Sequence, residues 1–210
     1  MVFIDHTPEN QDKSFLGVPV LGKITNLKSD KNQKAIVGIG SNEARKKLVN
    51  RFNFDWINAI HPFSSIADDV KLGRGNVICA GSIVQTGAII GNHVILNTRA
   101  SVDHHCKVDD FCHLAGAHLA GRSILEEGVF MALGSTILPK LLVKKWAIIG
   151  AGSVVSRNVE EGDIMFGAPA KVKLKNTMGW TNLRKSMLDG GRQDPAVNRG
   201  SDSYCDRQGR

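Results

Sequence analysis

The chain lacks any apolar run long enough to span a membrane as a helix, and no charged stretch followed by an apolar segment stands at its start. We therefore expect no membrane insertion, no secretory leader and a cytoplasmic location. The four cysteines form no CxxC pair, and Cys106 and Cys112 fall on small, inward positions of the repeat described next. This placement predicts core packing in a reducing compartment rather than a disulfide or metal role.

A basic stripe interleaved with aromatic residues is also absent, although the formal net charge is +7 at pH 7. The basic residues at 45–47 and 140–145 are spread over different segments of the chain. This distribution favours a solvated surface, or attraction for a phosphate-bearing cofactor, and we predict no nucleic-acid partner.

The chain does have an apolar residue at every sixth position through its middle, with one residue dropped between Leu114 and Leu119. The residue four places later is often small, and Gly often follows the repeat position directly, as at Gly73 and Gly91. No amphipathic helix has this period, whereas six-residue repeats are typical of β-solenoids. The apolar residue fills the core, the small residue fits a corner, and Gly supplies turn geometry. The repeat positions are Ile66, Leu72, Ile78, Val84, Ile90, Leu96, Val102, Val108, Leu114, Leu119, Leu125, Met131, Ile137, Val143, Ile149 and Val155.

Three regions follow from this pattern: residues 1–60, a β-helix over 61–175, and a tail over 176–210. In the first region we predict a strand at 1–5, a short extended piece at 17–22 and a buried strand at 35–40. Ser41 is expected to cap a helix running from Asn42 through Phe52, an arrangement typical of α/β domains. The Gly-x-Gly at 38–40 either packs this helix on the strand or lets the backbone approach a phosphate. The tail has few aliphatic residues and is predicted to be disordered.

Several longer motifs are more specific than the repeat. They stand at residues 97–106, 110–113, 149–155 and 167–171, with further ones at 3–5, 17–22 and 38–42. Over residues 2–174 the chain resembles the left-handed β-helix (hexapeptide-repeat) acyltransferases. The branch it resembles contains the sialic acid O-acetyltransferases and nucleotide-amino-sugar N-acetyltransferases. The resemblance implies a mainly β fold, a left-handed parallel β-helix preceded by a small α/β domain.

The resemblance also implies an activity, partners and site residues. The activity is transfer of an acetyl group from acetyl-CoA to an amino or hydroxyl group of a sugar, often nucleotide-linked, for bacterial surface glycan synthesis. A homotrimer with acetyl-CoA sites between subunits is implied, and no metal. The family's catalytic His matches His104, and its neighbour is His105. Acetyl-CoA contacts match His113, Leu133 and Ala151. Sugar-acceptor contacts match Asp5, His6, Gly40 and Asn97.

Histidine suits the base of this reaction because its unperturbed imidazole is mostly neutral at pH 7. His104 stands two places after a repeat position, so we expect it to point outward. Because His104 and His113 are half a coil apart, we expect any joint site to combine His104 of one chain with His113 of its neighbour.

The chain departs from the family pattern at three places. The family usually has Glu or Asp directly after its catalytic His, and His105 offers no fixed negative charge there. We expect His104 to be a weaker base, unless Asp103 compensates, and His105→Glu to speed turnover. The family's first βα unit has no counterpart, which predicts an open sheet edge and weakens the case for nucleotide binding. The dropped residue near 115–118 predicts local distortion at a corner.

Two other functions stay open. A zinc enzyme resembling the trimeric β-helix carbonic anhydrases would use His113 and His118, although no third His has a matching upstream place. A catalytically impaired β-helix that only assembles or scaffolds would explain His105 and the missing βα unit. Thiol release from acetyl-CoA distinguishes the acetyltransferase from the scaffold, and a metal assay tests the zinc enzyme.

Overall fold

The computed structural model describes residues 1–5, 7–10, 12–22, 24 and 27–175. The predicted tail at 176–210 lies outside these residues, as do His6 and Cys205. The first elements are a 3-10 helix (Pro8–Asn10) and an antiparallel pair, β1 (Ser14–Phe15) with β2 (Val18–Pro19). They are followed by a parallel β-α-β unit of β3 (Lys34–Ala35), α1 (Asn42–Arg51) and β4 (Asp55–Trp56).

The remaining strands, most of them two residues long, build a parallel solenoid. In chain order they are β5 (Ala59–Ile60), β6 (Ser65–Ile66), β7 (Lys71–Leu72), β8 (Val77–Ile78), β9 (Ile83–Val84), β10 (Ile89–Ile90), β11 (Ile95–Leu96), β12 (Ser101–Val102), β13 (Lys107–Val108), β14 (His113–Leu114), β15 (His118–Leu119), β16 (Ile124–Leu125), β17 (Phe130–Met131), β18 (Thr136–Ile137), β19 (Leu142–Val143), β20 (Ile148–Ile149), β21 (Val154–Val155), β22 (Asp163–Phe166) and β23 (Lys171–Lys175).

Every third strand of the solenoid joins the same sheet, so three sheets form a triangular prism. Sheet 1 contains β5, β8, β11, β14, β17, β20 and β22, with β23 antiparallel at its end. Sheet 2 contains β6, β9, β12, β15, β18 and β21, and sheet 3 contains β7, β10, β13, β16 and β19. We name the corners by the sheets that they join: corner 1–2, corner 2–3 and corner 3–1. The prediction of a mainly β, left-handed parallel β-helix is confirmed.

The side chains at the positions of the six-residue repeat are buried, as predicted. From Ile78 to Val155 each repeat position is at most 2% exposed, and only Ile66 and Leu72 in the first coil are partly buried. The small residues four places later are buried as well, including Cys106 and Cys112. Core packing of these two thiols is therefore confirmed.

The role of glycine differs from the prediction. Gly73 and Gly91, directly after repeat positions, have no left-handed backbone; a Cβ at Gly73 would lie 2.5 Å from the Gly91 carbonyl oxygen. Glycine is therefore needed at position 73 because two coils approach closely there. The turn itself does not require it. Left-handed φ occurs instead at the third residue after the repeat position, a place that the repeat alone did not mark. These residues are Gly75, Gly81, Gly87, His93, Arg99, His105, Phe111, Arg122, Gly128, Gly134, Lys140, Trp146 and Gly152.

The corner at Ala115–Ala117 absorbs the dropped residue. Gly116 takes φ 64, and strand pairing stays in register on both sides, with Val102 opposite Leu119 and Leu119 opposite Ile137. The expectation of a local distortion is therefore confirmed.

The N-terminal region differs in part from its prediction. The helix cap is confirmed: the Ser41 hydroxyl accepts a hydrogen bond from Ala44 N at 3.3 Å, and α1 ends at Arg51 with Phe52 as its cap. The buried strand at 35–40 is wrong, because only Lys34–Ala35 pair and Ile36 is 37% exposed. Among the described residues β3 pairs with β4, which is likewise two residues long. The predicted strand at 1–5 is a single bridge between Phe3 and Val20.

Arg45 anchors helix α1 to corner 3–1. The sequence predicted a solvated side chain at this position, which is wrong, because Arg45 is 0% exposed. Its guanidinium donates to the carbonyl oxygens of His93 and Phe111, each at 2.8 Å. Burial lowers the pKa of Arg45 to about 10. His93 is 5% exposed and stacks on Phe111 with ring centroids 5.3 Å apart. The side chain of His93 is therefore part of the junction between the two regions.

Candidate acetyl-transfer site

The predicted site residues fall on three parts of the solenoid. His104 and His105 form the turn at corner 2–3, between β12 and β13. Asn97, Leu133 and Ala151 lie at corner 1–2, and His113 begins β14 in sheet 1. In a triangular prism, corner 2–3 lies opposite sheet 1. His104 and His113 therefore lie on opposite sides of one chain. This separation agrees with the expectation from their half-coil spacing.

The His104 imidazole is exposed and held from two sides. Its Nδ1 lies 3.1 Å from His105 Nδ1, so one ring must donate a proton to the other. Its other nitrogen, Nε2, lies over Gly121 in the next coil, where an added Cβ would be only 2.6 Å away. The outward orientation predicted for His104 is confirmed. The six-residue repeat alone does not identify Gly121 as a neighbour of His104. The length of a full coil does: three repeats make one coil, and the dropped residue shortens this coil by one, which places Gly121 beside His104.

Asp103 contacts the backbone of the His pair rather than its rings. Its carboxylate oxygen accepts a hydrogen bond from the backbone N–H of His104 at 2.8 Å. This contact stabilises the turn, and the structure places no Asp103 oxygen in hydrogen-bond contact with either imidazole.

At corner 1–2, Leu133 and Ala151 stack in successive coils. Gly152 N donates to the Leu133 carbonyl at 2.9 Å, and Leu133 is 69% exposed. The backbone N–H groups of Leu133 and Ala151 donate to no atom of the residues that the structure describes. These two groups are therefore available to an extended ligand along this corner. Asn97 lies at the same corner, where its side-chain oxygen accepts from Thr98 N at 2.8 Å.

His113 is only 8% exposed and faces the N-terminal region. Its Nδ1 lies 3.1 Å from the carbonyl oxygen of Gly40, so Nδ1 is the protonated nitrogen and donates to it. Burial, with a smaller contribution from the charge of Arg45, lowers the pKa of His113 to about 4, and the hydrogen bond to the Gly40 carbonyl opposes this shift. His113 is therefore neutral at pH 7. Its buried Nε2 has no hydrogen-bond partner among the described residues, so this nitrogen can accept a hydrogen bond from a ligand.

The structure brings two of the predicted binding residues together, because Gly40 contacts His113 directly. Asp5 lies elsewhere in the N-terminal region, where its carboxylate accepts from Thr7 N at 2.9 Å and from the Asn10 amide at 2.7 Å. His6 lies outside the described residues.

The residue pair of the zinc alternative does not converge within one chain. His113 projects from sheet 1 and donates to Gly40, whereas His118 projects from sheet 2 and contacts Ser101. Over the described part of the chain, no three His, Cys, Asp or Glu side chains are grouped as a metal site would require. The same residues include no helix with the length and apolar character of a membrane span.

Comparison with known proteins agrees with this architecture along most of the chain. The family described as the PglD N-terminal domain matches residues 1–52. A variant of perosamine N-acetyltransferase from Caulobacter crescentus, solved in complex with CoA and GDP-perosamine, is 32% identical. It superimposes with a TM-score of 0.73, over 80% of this chain and 83% of that one.

A second solved structure, the acetyltransferase domain of PglB from Neisseria gonorrhoeae FA1090, is 30% identical with a TM-score of 0.76. The similarity covers 82% of this chain and 86% of that domain, which has also been solved with acetyl coenzyme A. Curated relatives match over shorter stretches. The dTDP-3-amino-3,6-dideoxy-alpha-D-galactopyranose 3-N-acetyltransferase of Aneurinibacillus thermoaerophilus is 34% identical over 53 residues, 25% of this chain and 28% of that protein. Five curated relatives are matched over 11% to 29% of their length.

Proposed function

Because this chain belongs to the left-handed β-helix, hexapeptide-repeat acyltransferases, we propose that it moves an acetyl group from acetyl-CoA to an amino group of a nucleotide-linked sugar. The likeness to a perosamine N-acetyltransferase with CoA and GDP-perosamine bound, over 83% of that chain, carries the proposal. An amine is favoured over a hydroxyl because the likeness that covers 80% of the present chain is to an N-acetyltransferase. The shorter curated matches include both an N-acetyltransferase and the galactoside O-acetyltransferase of Lactococcus lactis, over 25% and 29% of the chain. A role in bacterial surface glycan synthesis follows from the same substrate class.

The reaction needs a base at the amine, and His104 offers one. With the His104 proton on Nδ1 and shared with His105, Nε2 is free to take a proton as the amine nitrogen attacks the thioester carbonyl. The new C–N bond forms, the C–S bond breaks, and the proton held on Nε2 returns to the departing sulfur as a thiol. A positioned base is typically responsible for a rate factor of ~10²–10⁴.

The other groups are proposed to bind the two substrates. The N–H groups of Leu133 and Ala151, which have no hydrogen-bond partner in the described part of the chain, suit the carbonyl oxygens of an extended acetyl-CoA arm along corner 1–2. His113 Nε2 is a buried acceptor beside Gly40, on the face covered by the N-terminal region. Since His104 lies on the opposite side of the solenoid, we propose a homotrimer in which the His104 of one chain meets the binding groups of its neighbour.

Free thiol release tests the proposal. Purified protein is mixed with acetyl-CoA and a panel of nucleotide-linked amino sugars and sialic acids, with His104→Ala alongside. His61→Ala is the matched control, because His61 is an exposed imidazole in the first coil and lies outside the proposed site. We expect acceptor-dependent release that persists in His61→Ala and falls by ~10²-fold or more in His104→Ala. A folded trimer with no release from any acceptor would instead support the scaffold function.

A further inference from the structure

A carboxylate two coils before the His pair lies at the same corner. Corner 2–3 stacks the turn containing Asp69, the turn Thr86–Gly87 and the turn His104–His105 in successive coils. One Asp69 oxygen accepts from the Thr86 hydroxyl at 2.8 Å and from Gly87 N at 2.9 Å. These two bonds fix the carboxylate beneath Gly87.

The His105 ring lies on the other side of Gly87. A Cβ added at Gly87 would be 3.0 Å from His105 Cδ2 and 3.2 Å from His105 Nε2. The Cδ2 atom of His105 therefore lies closest to Gly87, with Nε2 and Cγ (3.3 Å) about equally near, and of the two ring nitrogens it is Nε2 that faces the Gly87 turn that holds Asp69. The two groups also interact electrostatically: the pKa of Asp69 lies below its ordinary value, chiefly because of the Thr86 hydroxyl, with the charge of His105 adding to this shift.

The two imidazoles share one proton between their Nδ1 atoms, which are 3.1 Å apart. A negative charge near Nε2 of His105 favours the tautomer with the proton on that nitrogen. His105 Nδ1 is then an acceptor, so His104 must donate from its own Nδ1. This leaves His104 Nε2 with a free lone pair, which is the form that a general base needs.

We propose that Asp69 is a positioning residue for acetyl transfer, acting through His105 to keep the proton of His104 on Nδ1. The inference rests on the proposed function and deepens it. Asp69 supplies from the preceding coils the negative charge that the family usually carries directly after its catalytic His. His105 is then a connecting group between that charge and the base.

Asp69→Asn tests this, because an amide oxygen can still accept both hydrogen bonds while the charge is lost. We expect kcat to fall about tenfold, less than for a buried catalytic triad because this cluster is exposed, with KM for acetyl-CoA nearly unchanged. Asp68→Asn removes an exposed carboxylate of the same turn that takes no part in the bonds to Thr86 and Gly87, and it should leave kcat nearly unchanged. In a His105→Glu background, Asp69→Asn should have no effect on kcat, because Glu supplies the charge directly.

A second readout does not depend on activity. Nitrogen NMR of histidine-labelled full-length protein, assigned with His104→Ala, reports which ring nitrogen carries the proton. We expect Nδ1–H for His104 and Nε2–H for His105 in the native chain, and loss of this pattern in Asp69→Asn. An unchanged pattern in Asp69→Asn, or an equal fall in kcat for Asp68→Asn, would overturn the inference. If no acceptor is acetylated, the proposed function fails, and the NMR result still decides the inference.

Discussion

The contact between His104 and Gly121 predicts a variant that separates activity from stability. In Gly121→Ala the new Cβ would lie 2.6 Å from Nε2 and 2.8 Å from Cε1 of His104. Ordinary carbon contacts are about 3.5–4.0 Å, so the ring must move by roughly 1 Å. Because a 1 Å misplacement of a reacting group can cost ~10²-fold in rate, we expect kcat to fall by about 100-fold.

Stability should change little in the same variant. Gly121 has no left-handed φ, so alanine is compatible with its backbone, and the displaced ring can rotate away into solvent. We expect a change in unfolding free energy of less than about 1 kcal/mol. Gly73→Ala is the comparison: its Cβ would meet the Gly91 carbonyl oxygen at 2.5 Å, a backbone atom that no rotamer change can move. Gly73→Ala should therefore have a lower melting temperature.

Both variants are assayed by thiol release with the best acceptor and by thermal unfolding. Wild-type kcat in Gly121→Ala would show that the position of the His104 ring is unimportant. This result would refute His104 as the base in the orientation that the structure shows. Unfolding of Gly121→Ala would refute the argument that only the ring gives way.

Three further predictions follow. His105→Glu should raise kcat near neutral pH in thiol release, because a carboxylate beside His104 replaces a two-ring connection; an equal or slower rate would count against this. Mixed trimers of His104→Ala and His113→Ala subunits should regain activity that neither variant has alone, and mixtures that stay inactive would exclude a shared site. Stability in chemical unfolding should fall as pH drops from about 6.5 to about 4, since His113 has a folded pKa of about 4 and binds its proton more readily when unfolded. The loss is about 3 kcal/mol at most for His113, and His113→Phe should reduce it; an identical pH profile in that variant would contradict the burial account.

The solenoid could be predicted because burial has a period that the sequence records directly. Every sixth side chain points into the core, so each repeat position must be apolar regardless of what surrounds the coil. The outward position of His104 followed from the same period. Even the dropped residue was readable, because the repeat resumes after it in the same register.

Contacts between coils and between regions were harder to predict. His104 meets Gly121, and His105 meets Gly87, only because corner residues one coil apart stack, which a six-residue period does not reveal. The longer period of one full coil, three repeats, is the signal that would have found them. Arg45 carries no mark of burial in the sequence, since its partners are the backbone carbonyls of distant turns.

The most direct test of the account is mass spectrometry of the products formed from acetyl-CoA and GDP-perosamine or related nucleotide-linked amino sugars. The account predicts a nucleotide sugar that gains one acetyl group on its amino nitrogen, in an amount equal to the thiol released, and no such product with His104→Ala. Acetyl-CoA left intact with every acceptor, in the presence of folded and assembled protein, would contradict it.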